Sequence, residues 1–164
     1  MERSMELTLP ANWDDIERAR NQSSSFFSCH NLHNDSIEAL TMIVSELIEN
    51  SIKYGSFSNQ NDKIILSISF YGSDITIEVV NPIDEKVYTH LRRLDKTIQW
   101  IRGYQDSFEA YVNKMEEISK RPLNDEESGL GLVRIAYEGK AIIDFYVSEE
   151  NLLNVSAISD FHTY

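Results

Sequence analysis

Glu46 and Asn50 stand one helical turn apart in Met42–Tyr54, a segment that is otherwise strongly apolar. On a helix, side chains at i and i+4 are neighbours, roughly 5–6 Å apart at Cβ. An Asn side-chain oxygen suits Mg²⁺, a hard ion that takes few protein ligands and fills its shell with water and phosphate oxygens. A carboxylate beside it can take a proton from an attacking water or hydroxyl. Glu49 and Lys53 share the stripe, and Lys53 would add positive charge near phosphates. The plainer alternative is a solvated face with a Glu49–Lys53 ion pair. Further along comes Glu127-Ser128-Gly129-Leu130-Gly131-Leu132, a glycine-rich turn opening another apolar helix. Glycines let backbone approach phosphate closely, and free amides at a helix N-terminus favour anions. No Gly-Lys-Ser/Thr follows, so this is not a Walker motif; alone, it reads as a loose helix entry.

These residues need elements to hold them. Ser4–Leu9 alternates apolar and polar up to Pro10, the pattern of a short strand. Trp13 to about Phe27 reads as a helix with Asn12 as its cap. A second helix starts at Asn34 or Asp35, with Glu38 placed to answer Asp35 in a capping box, and ends at Gly55. Lys63–Tyr71 and Ile75–Val80 are β-rich runs joined by Gly72-Ser73-Asp74, a hairpin pattern. Leu130–Glu138 is a helix closed by Gly139, and Ala141–Val147 and Leu152–Ile158 form a last pair of strands. This order predicts an α/β (α+β) two-layer sandwich: a mixed, mostly antiparallel sheet with helices on one face.

Residues 83–127 interrupt the pattern. Val87, Leu91, Leu94, Ile98, Ile101, Gln105, Phe108, Val112 and Met115 follow heptad spacing, with one polar miss beside Gly103. Two amphipathic helices are expected there, forming a helical lid or insertion. Their apolar stripe either packs on the chain itself or contacts a partner, a homodimer through 87–115 included; both readings stand.

The chain has 164 residues, a length expected of a single domain over 1–164. A net charge of −12 argues against a nucleic-acid partner. One cysteine, Cys29, excludes an internal disulfide. No signal-peptide core and no apolar run near the ~20 residues of a membrane span are present, so a cytoplasmic protein without membrane contact is expected. His30 and His33 have a spacing open to metal, but no carboxylate or cysteine cluster joins them. Phe26, Phe27, Trp100 and Tyr104 read as core or interface residues.

The Met42–Tyr54 helix resembles the N-box of the GHKL (Bergerat-fold) ATPase superfamily, and Glu127–Leu132 looks like its second glycine box. Ser45–Tyr54 is most similar to the anti-sigma-factor type of serine/threonine protein kinase. The resemblance implies ATP and Mg²⁺ held between this helix and the sheet. On it, Asn50 binds the metal, Glu46 is the general base, Lys53 favours phosphate, and the backbone of Gly129, Leu130, Gly131 and Leu132 holds phosphates. Asn81 stands where the family places an adenine-reading Asp, followed here by Pro82 instead of glycines; an Asn carbonyl still accepts from the adenine amino group. The resemblance implies partner switching in signalling: phosphorylation of a small STAS-type antagonist protein, or capture of a sigma-like target. The alternative is a degenerate GHKL domain acting as a non-catalytic interaction or dimerisation module.

Overall fold

The computed structural model describes residues 3–121 and 129–161. Its elements follow the chain as β1 (Ser4–Leu9), α1 (Asp14–Ser28), α2 (Asn34–Tyr54), β2 (Ile64–Tyr71), β3 (Asp74–Pro82), α3 (Tyr88–Arg102), α4 (Ser107–Ser119), α5 (Leu130–Tyr137), β4 (Ala141–Val147) and β5 (Leu152–Asp160). The five strands lie in the order β1-β2-β3-β5-β4. Every pairing among them is antiparallel, so no parallel contribution makes the sheet mixed. The reason is local: β2–β3 and β4–β5 are hairpins, and the second slots its return strand beside β3.

Alternation decides which face is covered. Met5, Ile68, Ile77, Ala157 and Ile143 stand in register across all five strands, on the face that carries the buried strand residues. Leu7, Leu66, Val79 and Val155 form the next row on that face. Helix α2 lays Leu40, Ile43, Val44, Leu47 and Ile48 into the core beneath them, all within 1% of full burial. Its buried hydroxyls cost little, because Thr41, Ser45 and Ser51 each donate to the carbonyl one turn back. The result is a two-layer sandwich whose sheet keeps one face open.

Local boundaries follow the sequence reading to within two residues; β3, read as ending at Val80, runs on through Asn81 and Pro82, and β5 runs on to Asp160. Asn12 Oδ1 accepts from Asp14 N–H at 3.1 Å, as a cap should. The expected Asp35–Glu38 capping box does not form. Helix α2 already begins at Asn34, so Asp35 sits inside the first turn, where its charge favours the helix dipole. Residues 83–121 form two helices broken near Gly103. The heptad stripe divides at that break. Leu91, Leu94 and Ile98 of α3 join the core, whereas Phe108, Val112 and Met115 of α4 are exposed. Helix α4 packs on α5, where the rings of Phe108 and Tyr111 both lie against Tyr137, and Ala110 is its buried residue. Among the described residues no helix is long and apolar enough to cross a membrane.

Candidate functional site

Where α2 passes the start of α5, a cavity of about 530 Å³ opens between the helices and the sheet. Helix α2 contributes Glu46, Glu49, Asn50 and Lys53; the sheet contributes Asn81, Leu153 and Val155; and the mouth of α5 contributes Gly129, Gly131 and Leu132. Of the expected site residues, all but Leu130 line this space, while Glu127 and Ser128 lie outside the described residues. Glu49 and Lys53 make no ion pair with each other, and both line the cavity.

Glu46 is the tightest point. A Cβ on Gly131 would overlap Glu46 Oε2, so only glycine lets the carboxylate rest on this backbone. Glu46 Oε1 accepts from Arg134 Nη1 at 2.9 Å. Burial holds the Glu46 carboxyl above the ordinary carboxylate range, with help from Glu49, against the opposing charges of Arg134 and Lys53. A half-buried carboxylate with a raised pKa is suited to accept a proton. Gly129, just before α5, has φ +67°, a left-handed conformation that sets the direction of the helix mouth.

Asn81 closes the floor. It is the last helix-facing residue of β3 and is 1% exposed. Its Nδ2 donates to Pro82 O at 3.1 Å, while Oδ1 has no partner among the described residues. A buried acceptor left in that state is costly unless a ligand donor meets it.

Helices α3 and α4, and Arg121 just past the end of α4, supply residues that sequence reading passed over. His90, Arg93, Lys96, Lys114 and Arg121 all face the cavity. With Lys53, five of the chain's 15 Lys and Arg residues line one cavity in a protein of net charge −12. Lys114 lies with its stem against Gly129; its Nζ is 2.9 Å from Glu117 Oε2 and 5.6 Å from the Trp100 ring centre. Burial, with Arg93 adding to it, pushes His90 down to about 4, so it is neutral at pH 7 and stacks on Tyr54 at 3.3 Å between ring centres. The spacing of His90, Arg93 and Lys96 marked a polar helix face, but spacing alone does not say what that face looks at.

The other candidates take structural places. His30 stacks on Phe70 at 4.1 Å with Phe26 beside it, and no metal-type cluster of three or more His, Cys, Asp or Glu occurs among the described residues. Phe27 is core, Trp100 packs edge-on to Tyr104, and Cys29 is exposed.

No family model and no curated protein matches the sequence. Among solved structures, a chain of the SiaB–SiaC complex from Pseudomonas aeruginosa is similar, with a TM-score of 0.70 at 15% identity over 94% of this chain and 88% of that one. A likeness at that identity shows a shared fold.

Proposed function

We propose that this chain is an ATP-dependent serine/threonine protein kinase of the GHKL-related, partner-switching type, acting on a small STAS-type antagonist protein. The observation that carries this reading is Glu46, an ionisable group held against Gly131 inside a cavity rich in cations. Three features fit a nucleotide: the unpartnered Asn81 Oδ1 for a base amino group, the glycine-limited contact at α5, and the Lys and Arg set for phosphate charge. Asn50, one turn from Glu46, is the residue that would hold Mg²⁺. That ion, when bound, neutralises phosphate charge and orients the reacting groups.

Glu46 Oε2 is the atom assigned to receive the proton of the acceptor hydroxyl. Arg134 keeps Oε1 occupied and so fixes which oxygen is available. The similar solved structure is a complex of two proteins, which accords with a protein substrate. The test is calorimetry of Mg-ATP binding to the wild-type chain and to Asn50→Ala, followed by phosphate transfer to STAS-type proteins encoded beside it. Wild-type binding that Asn50→Ala weakens supports the site. No wild-type binding at about 1 mM nucleotide removes the kinase reading and leaves a non-catalytic interaction module.

A further inference from the structure

A second cavity, of about 390 Å³, lies between the end of α3, the end of α5 and strand β4. It is separate from the Glu46 cavity, with no residue in common. Its apolar wall includes Ile98, Ile101, Ala136 and Ile143, and its charged lining is Arg102 and Lys140, with no carboxylate among the described residues. Lys140 has no ion-pair partner among the described residues.

Among the described residues, strand β4 is an edge of the sheet, paired with β5 alone. Ile142 and Tyr146 leave it exposed at 68% and 58%, and Val147 is exposed as well. Two of its outward backbone groups are met by side chains. Arg102 Nη2 donates to Ile143 O at 2.7 Å, and Asp144 Oδ1 accepts from Phe145 N–H at 2.9 Å. The two side chains face each other at 3.6 Å. A carbonyl and an N–H two residues apart on one strand are the pair that an added strand engages. Arg102 and Asp144 therefore stand in for the amide donor and the carbonyl acceptor of an incoming strand.

We infer that the outer edge of β4 and the cavity beside it form a docking groove for an extended peptide segment with an apolar side chain flanked by carboxylates. The backbone of the segment replaces the Arg102 and Asp144 contacts, its apolar side chain fills the cavity, and its carboxylates meet Lys140 and the released Arg102. An acidic segment is the occupant because the charged residues lining the cavity, Arg102 and Lys140, are both cations, in a chain of net charge −12. The surface is distinct from the proposed kinase site and stands without it.

The probe is an end-blocked, fluorescein-labelled peptide, Glu-Val-Leu-Val-Glu, followed by anisotropy and by amide hydrogen exchange of the full chain. Saturable binding with slowed exchange over 141–147 is expected. N-methylation of alternate peptide amides abolishes it, because the backbone donors are gone. Lys140→Glu weakens binding by about threefold to tenfold, and Asp144→Ala, which frees Phe145 N–H and removes a like charge, tightens it. Equal binding of the N-methylated or a lysine-flanked peptide overturns the inference, as does protection confined to other segments. So does a concentration-dependent dimer that protects 141–147 without peptide, which would make a second copy the occupant. Absence of binding at about 1 mM peptide also overturns it.

Discussion

Arg134 Nη1 donates to Glu46 Oε1 at 2.9 Å, joining α5 to α2 across 88 positions of sequence. The same guanidinium holds Glu138 through Nε and Nη2 at 3.1 and 3.2 Å. Its planar fork thus keeps its own position while steering one oxygen of Glu46. Burial raises the Glu46 pKa and Arg134 opposes the rise, so the pair sets the pH at which the carboxylate is ionised.

If Glu46 is the base, the transfer rate falls as pH drops through its raised pKa, above the usual 4.5. Arg134→Gln removes the opposing charge, and the acid limb of the pH–rate profile moves upward. Glu46→Gln retains nucleotide and loses roughly 10²–10⁴ in transfer rate. Stability gives a readout independent of activity. A carboxyl whose folded pKa is raised contributes most below its unfolded value and loses that contribution as pH rises through the folded value. Glu46→Gln is therefore expected to gain stability relative to wild type as pH rises above the usual 4.5 and through the raised folded value. A pH-independent difference in denaturant midpoints would sink this account.

Gly131→Ala forces the new methyl into Glu46 Oε2. The end of the Glu46 side chain must swing away and give up its bond to Arg134, for an expected cost of about 0.5–1.5 kcal/mol, with loss of transfer because the base is displaced. Pairing it with Glu46→Ala removes the clash, and a double-mutant cycle should show coupling of about 0.5–3 kcal/mol. Gly129→Ala is the comparison: its left-handed backbone costs about 1–2 kcal/mol with no coupling to Glu46. Additive costs for Gly131 and Glu46 would mean the contact does not matter.

Lys114 lies beside Gly129 with most of its side chain buried, 13% remaining exposed. If this part of the cavity holds phosphates, Lys114→Ala weakens ATP by about 1.5–3 kcal/mol and leaves adenosine unchanged. The ATP effect shrinks in high salt only partly, since a buried cation is poorly screened. Titration of ATP and adenosine against wild type and variant checks this. Equal losses for both ligands would place Lys114 in packing rather than phosphate contact.

Much of this arrangement was legible in the chain because it is periodic. Glu46 and Asn50 share a stripe by helical geometry, and Gly129 with Gly131 marks the mouth of α5, so the two walls could be read separately. The sheet followed from alternation, and its hairpins from short polar turns. What periodicity cannot carry is the view from a polar face. His90, Arg93 and Lys96 carry the same pattern whether they meet water or a cavity. Arg134 was missed for a related reason, since its partner is fixed by the packing of α5 on α2 and by nothing local. The heptad stripe misled beyond Gly103 because a seven-residue repeat assumes one continuous helix.

That divided stripe gives a direct comparison. Leu94 on α3 is 5% exposed within the main core, whereas Met115 on α4 is 43% exposed. Leu94→Ala leaves a cavity beside Ile98 and Leu91, and a loss of about 2–5 kcal/mol is expected. Met115→Ala removes contacts mainly with solvent and should stay within about 0.5 kcal/mol. Both variants are compared by urea unfolding at two protein concentrations, because a surface buried between copies makes stability depend on concentration. If Met115→Ala costs as much as Leu94→Ala, and the cost grows with protein concentration, the α4 stripe is an interface between copies. If its cost is small at both concentrations, α3 carries most of the structural share of the repeat, and α4 is held on α5 by Phe108 and Tyr111 against Tyr137.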